Sequence, residues 1–538
     1  MSTPNAPLPT VRADLLARLA PAPDAPPYDL AVIGGGATGL GVALDAAARG
    51  FSVVLLESHD FAKGTSSRAT KLVHGGVRYL AQGNISLVRE ALRERTHLLR
   101  NAPHLAQPLP FVMPGYKLWE TPFYGVGLKA YDALAGSAGL GATEFLSARA
   151  TRALLPNVQT AGLCGGVKYW DGQFDDARLA LALARSAAAR GALLLNYCRV
   201  ERLLYQDDKV CGLVAQDTET GRDYAVQARC VVNATGVWAD ALRRADGQAR
   251  GRQEPAMIAP SQGVHLVVDR DFWPCDHALL VPKTTDGRVL FAVPWLGKTI
   301  LGTTDTPRHD LAREPRPFRE EVDFILREAG RYLARAPRLQ DVRSTWVGLR
   351  PLVKPAHGDG DTTKKISREH TVLVSASGLV TVTGGKWTTY RAMAEDVLDQ
   401  CFDAHLLPRR AGDVTTHLPL VGAEPGAAGN PKTPPLSAAP GWHLYGGEAP
   451  AVQALPGAER ELGLGLTEAM VRHAVRHEYA RTVEDVLARR SRLLFLDAAL
   501  AAALAPRVAE LLAGEGVADA ALPDFQALAG QYASPLAA

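Results

Sequence analysis

The sequence predicts an α/β protein in three parts: a parallel-sheet domain opened by a β-α-β unit, an antiparallel sheet inserted into it, and a small helical C-terminal domain. Three observations carry this. Two apolar runs, Leu30–Ile33 and Val53–Leu56, flank a helix-forming stretch from Ala37 to Arg49, with Gly50 as its stop. Four short strand-like segments, 264–268, 278–282, 289–293 and 299–301, are separated by turns, and Thr284-Thr-Asp-Gly287 is a hairpin signal. An Ala/Leu/Arg-rich stretch from about 457 to 530 has helical composition.

Taken in order, residues 1–27 form a Pro/Ala-rich leader with one amphipathic stretch, Val11 to Leu19. Arg12, Asp14 and Arg18 within it rule out the apolar core of a secretory signal. The α/β domain spans 28–420, with parallel-sheet parts at about 28–90, 175–250 and 345–402 and inserted parts at about 91–174 and 251–344. Val88–Leu99 and Asp176–Arg190 read as helices. Leu379–Thr383 reads as a strand, after which Gly384-Gly385 opens a helix running to about Phe402. A Gly/Ala/Pro-rich linker at 421–441 leads to the helical domain at 442–538.

With 47% hydrophobic residues and 21% charged, the 538-residue chain has material for a large core. A net charge of +3 gives no argument for nucleic acid. The six cysteines include no C-x-x-C pair, so iron–sulfur and zinc sites lack their ligand spacing, no metal is expected, and a reducing compartment fits best. There is no run of about 20 apolar residues to span a bilayer, which leaves attachment to a membrane surface open.

Gly34, Gly36 and Gly39 form G-x-G-x-x-G at the strand-to-helix turn. The first glycine permits the tight turn, the second lets a pyrophosphate approach the backbone, and the third lets helix and strand pack closely. The helix N-terminus, with Thr38 in its first turn, offers N–H groups and a positive dipole end to phosphates. Glu57, closing the next strand, is placed to accept hydrogen bonds from an adenosine ribose. The fingerprint alone does not separate FAD from NAD. The segment Asp60–Leu80, dense in small, hydroxyl and basic residues, suits a loop lying along an extended cofactor.

At this point the sequence resembles the FAD-dependent (respiratory) glycerol-3-phosphate dehydrogenases. The motifs are IGGGATG at 33–39, TSSRATKLVHGGVRYL at 65–80, DGQFDDARL at 171–179, NATGVWAD at 233–240, GTTDT at 302–306, GLRPL at 348–352, GGKWTTYR at 384–391 and EYARTVEDVLARRSRLLFLD at 478–497. The resemblance implies a Rossmann-like FAD-binding domain of the glycine/D-amino-acid-oxidase type, with the inserted sheet as substrate domain. It implies FAD contacts from Thr65, Ser66, Ser67, Lys71, His74, Gly75 and Gly76, and from Ala234 and Gly236 in the turn beside the adenine half. A second helix N-terminus at Gly384, Gly385 and Thr388 would face the flavin's pyrimidine edge, its dipole favouring the anionic reduced ring.

The implied reaction oxidises sn-glycerol 3-phosphate to dihydroxyacetone phosphate, with a hydride passing from C2 to flavin N5. A phosphate needs fixed cations, and the arginine fork matches its oxygens. The resemblance nominates Arg78, Arg350, Arg368 and Lys386, with Tyr79 as a hydroxyl donor. It offers His265 as base or as orienter of the C2 hydroxyl, with Arg350 and Lys386 beside it. Electrons would pass to a membrane quinone from a cytoplasmic protein held on the cytoplasmic face of the inner membrane. Arg89, Arg93, Arg95 and Arg100, or Arg472, Arg476 and Arg481, are candidates for a basic face. The oligomeric state stays open, a homodimer included. Alternatives are an amino-acid or amine oxidase of the same fold, an oxygen-using glycerol-3-phosphate oxidase, a non-catalytic nucleotide-binding protein, and an NAD-linked dehydrogenase.

Overall fold

Residues 7–20, 25–76, 84–285, 287–354, 369–424, 433–534 and 536 are described by the structure, a computed structural model. Strands Tyr28–Ile33 and Val53–Leu56 pair in parallel through apolar residues buried on both faces, as a sheet covered on two sides requires. The sheet continues in parallel through Asp223–Asn233 and Leu379–Gly384 on one side and Leu193–Leu195 on the other, with His370–Val374 as an antiparallel edge. Helices Ala37–Ala48, Asp176–Ala188 and Tyr390–Asp403 cover one face. On the other face lie the Cys198–Gln206 and Lys209–Asp217 hairpin and the leader helix Arg12–Leu19, whose Leu19 is fully buried. The leader is thus docked. Arg12 donates to the carbonyls of Asn196 and Tyr197, and the Thr10 amide donates to the Arg476 carbonyl.

The second sheet contains the four expected strands, as Ile258–Asp269, Ala278–Val281, Leu290–Trp295 and Lys298–Gly302. It is larger than the sequence predicts. Ala106–Gly115 joins it in parallel with Ala278–Val281, and Gly165–Phe174 follows. Pro108, Pro110 and Pro114 hide Ala106–Gly115 in the sequence, because proline argues against an inner strand. Val342–Val353, placed from residue 345 in the parallel-sheet part by the sequence reading, instead runs antiparallel along Ile258–Asp269.

Alternation along Ile258–Asp269 sorts its side chains. Leu266 and Val268 pack under helix Arg319–Tyr332, whereas His265 and Val267 point to the opposite face. The C-terminal helices Glu468–His477, Ala498–Gly514 and Leu522–Ala533 cover that opposite face, so Trp295, Trp346 and Val267 share one core with Val471, Phe495, Val508 and Phe525. The described end of the 421–441 stretch lies against the same sheet, with the Leu436 and Ser437 carbonyls accepting from Leu296 and Gly297.

Buried ion pairs tie the helical domain to the first one. Asp60 is held by Arg489 and Arg490, and Glu478 pairs with Arg178 at 2.9 Å. Arg492 reaches Asp176 at 3.1 Å.

Candidate active site

Gly34 has φ +109°, and a Cβ there would lie 2.6 Å from the Ala234 carbonyl oxygen. A Cβ at Gly39 would lie 2.0 Å from the Gly34 oxygen, so strand and helix touch through these two glycines. Gly36 opens toward the cleft and caps Ala37–Ala48 without a side-chain bond, while Ser66 Oγ accepts from the Ala37 amide at 2.9 Å. Glu57 accepts from the Gly35 amide at 2.7 Å and the His59 amide at 2.9 Å, which fixes its carboxylate at the strand end.

These residues border a cleft of about 610 Å³, within the range of cofactor sites. Of the residues nominated from the sequence, Gly34, Gly36, Thr38, Glu57, Thr65, Ser66, His74, Ala234 and Gly236 line it. So do His265, Arg350, Gly384, Gly385, Lys386 and Thr388. Cleft residues the sequence reading left out include Lys63, Arg68, Thr70, Trp238, Arg313 and Trp387. Arg68, Thr70, Trp238 and Trp387 lie inside quoted motifs, and their only signal was that membership.

Five nominated residues stand behind the wall instead. Gly39 is a packing contact, and Gly75 donates its amide to Tyr131 Oη at 2.9 Å. Gly76, at φ +79°, also lies off the cleft lining. Lys71 has φ +65°, which turns its fully buried side chain away to Asp176, 2.7 Å from the ammonium. The Ser67 carbonyl caps the same ammonium at 2.7 Å. Both residues shape the loop from behind, which corrects the expectation that they line the cofactor's path. Burial, then the Arg492 charge, lowers the Lys71 ammonium to about 7. Arg78, Tyr79 and Arg368 fall outside the described residues.

A second helix start faces the cleft. Gly384 and Gly385 both have positive φ, and a single 3-10 turn, Trp387–Thr389, precedes helix Tyr390–Asp403. The helix therefore begins five residues later than Gly385, after a tight turn whose Trp387 and Thr388 line the cleft. Trp387 Nε1 donates to the Ser66 carbonyl at 2.8 Å, tying this turn to the first loop.

His265 is 2% exposed and stacks on Trp346 at 5.2 Å and 18°. Its Nε2 shares a hydrogen bond of 2.9 Å with Thr70 Oγ1. Burial, reinforced by the charges of Lys71 and Arg350, holds the imidazole well below its usual range, so it is neutral at pH 7. Arg350 donates to the Thr304 carbonyl at 2.9 Å and pairs with Asp305 at 3.3 Å. A Cβ at Gly263 would lie 2.3 Å from Arg350 Nη2, so that glycine makes room for the guanidinium.

The chain matches the FAD dependent oxidoreductase family over residues 29–391 and the C-terminal domain of alpha-glycerophosphate oxidase over 413–521. It is 41% identical to a probable mitochondrial glycerol-3-phosphate dehydrogenase of Dictyostelium discoideum, covering 90% of this chain and 80% of that one. It is 42% identical to mitochondrial glycerol-3-phosphate dehydrogenase of Bos taurus, covering 91% and 70%. The chain belongs to the FAD-dependent glycerol-3-phosphate dehydrogenase family. Among solved structures, the glycerol-3-phosphate dehydrogenase of Bacillus halodurans complexed with FAD superposes with a TM-score of 0.77 at 30% identity, over 98% of each chain. Glycine oxidase of Geobacillus kaustophilus, at TM-score 0.52 and 21% identity over 72% of this chain and 96% of that one, shares the fold.

FAD is the cofactor of this family, and the cleft fits it. Two uncapped helix starts address one cleft, and Gly36 leaves the backbone open to a diphosphate where Gly34 and Gly39 close the turn.

Proposed function

We propose that this protein oxidises sn-glycerol 3-phosphate to dihydroxyacetone phosphate and passes the electrons to a membrane quinone. The observation that carries the reading is a neutral, ring-stacked His265 in the same cleft as the cations Arg350 and Lys386 and the second helix start. Gly34, Gly36, Thr38, Glu57, Thr65, Ser66, Ala234 and Gly236 would hold the adenosine and diphosphate, and His74, Gly384, Gly385 and Thr388 the ring system. Bound FAD supplies the two-electron hydride acceptor.

Arg350 and Lys386 anchor the substrate phosphate, and His265 takes the C2 hydroxyl proton. A neutral imidazole is ready to accept that proton. Burial is the main cause of the depressed imidazole, and the phosphate's negative charge would offset only the smaller contribution of the neighbouring cations. An amino-acid carboxylate needs about one arginine clamp, so the set of cations favours a phosphate.

For the acceptor, none of the described helices is long and apolar enough to cross a membrane. Of the basic faces nominated from the sequence, the tail set is engaged, since Arg472 and Arg476 share Glu515 and Arg481 pairs with Glu219. In the other set Arg95 is buried on Asp171 at 2.8 Å, whereas Arg89, Arg93 and Arg100 are exposed. A different surface supports membrane contact. Leu118, Trp119, Phe123, Val126 and Phe145 are exposed around helix Glu120–Ala135, Phe123 at 65% and Val126 at 67%. Lys117 and Lys129 stand over the Trp119 and Phe145 rings. Exposed aromatic residues with lysines beside them suit the interface of an anionic bilayer.

The test is anaerobic addition of glycerol 3-phosphate to the FAD-loaded protein, with sarcosine and D-alanine as rivals. Bleaching of the flavin by glycerol 3-phosphate alone is expected. Bleaching by either amino acid instead would overturn the substrate. Rapid hydrogen peroxide release in air, with no turnover by a quinone, would overturn the acceptor.

A further inference from the structure

Arg492 and Phe495 belong to the C-terminal domain, yet two separate lines of contact lead from them to one imidazole. Along the ring edge, Arg492 donates to the Ser67 carbonyl at 2.8 Å and to Asp176 at 3.1 Å. Asp176 also accepts from the Ala69 amide at 3.0 Å and from Lys71 Nζ at 2.7 Å. The residues on both sides of Thr70 are thereby pinned to one carboxylate, and Thr70 Oγ1 meets His265 Nε2 at 2.9 Å. Under the ring face, Phe495 packs on Trp346 at 5.1 Å, and Trp346 stacks on His265 at 5.2 Å. The Lys71 ammonium joins the two lines, standing 5.1 Å from Trp346 and 5.2 Å from Phe495.

We infer that Arg492 and Phe495 are positioning residues for His265, through Asp176 and Thr70 at the ring edge and through Trp346 beneath its face. This rests on the reading of His265 as the base. Orientation of an acid–base group alters turnover when the substrate is already held elsewhere, here by the cations.

The experiment is a double-mutant cycle on the FAD-loaded enzyme, with glycerol 3-phosphate and a dye acceptor. His265→Asn should lower kcat by roughly 100-fold or more. Arg492→Lys and Phe495→Leu should each lower kcat about 10-fold, with KM within about 2-fold and full flavin content. In the His265→Asn background either change should cost less than about 2-fold, because its target is gone. Equal losses in both backgrounds, or no loss in the parent enzyme, would overturn the inference. An unchanged kcat for His265→Asn would instead remove His265 as base. Should Arg492→Lys fail to fold, Phe495→Leu, which keeps every ion pair, decides on the same criterion.

Discussion

Replacing Arg350 with alanine separates phosphate anchoring from chemistry. The guanidinium stands in the cleft with its side chain 20% exposed, donating to the Thr304 carbonyl and paired with Asp305. A charge-assisted hydrogen bond to a phosphate contributes roughly 1.5–3 kcal/mol, which is about 10- to 150-fold in affinity. The loss should exceed the lower figure, because Asp305 is released from its ion pair toward an anionic substrate. Arg350→Ala with Asp305→Asn should therefore recover part of the loss. The assay is steady-state turnover with a dye acceptor, read as KM for glycerol 3-phosphate and as competitive inhibition by inorganic phosphate. KM should rise and inhibition weaken together, while kcat moves less than about 3-fold, the pattern of lost uniform binding. A KM within about 2-fold of the parent would refute a role for Arg350 in holding phosphate.

Gly39→Ala places a methyl 2.0 Å from the Gly34 oxygen, so the purified protein should lose most of its flavin absorbance; full occupancy would refute the close approach as a requirement. Asp60→Ala removes the carboxylate between Arg489 and Arg490 and should destabilise by about 3–5 kcal/mol. In thermal melts it should fall far below Asp403→Ala, whose exposed pair with Arg409 contributes about 0–1 kcal/mol; equal melting would refute the buried lock. His104 and His473 are both buried and lowered to about 3, chiefly by burial. Below pH 6.5 the unfolded chain takes up protons that the folded chain does not, so stability falls with falling pH, by about 2 kcal/mol for each histidine at pH 5. A melting temperature unchanged from pH 7.5 to 5 would contradict this.

The parts of the site most visible in the sequence are those in which backbone geometry restricts the residue type. Gly34, Gly36 and Gly39 at a strand-to-helix turn admit few readings, and Glu57 follows from the next strand. The loop from Thr65 to Gly76 is less legible, because residue type does not say which way a side chain turns. Thr70 and Lys71 are neighbours, yet a left-handed Lys71 sends one to the cleft and the other into the core. The helical tail is least legible. Arginines on a helix read as a solvated face, whereas Arg489, Arg490 and Arg492 are buried because their carboxylates, Asp60 and Asp176, come from more than 300 residues away. The apolar cluster at Leu118–Val126 is not legible in the sequence, because no periodicity marks helix Glu120–Ala135.

The shared core beneath the antiparallel sheet limits how this architecture can be shortened. Trp295 and Trp346 are completely or almost completely covered by the C-terminal helices, so a chain ending near residue 420 would present them to water. Such a fragment would be prone to self-association rather than a smaller catalyst.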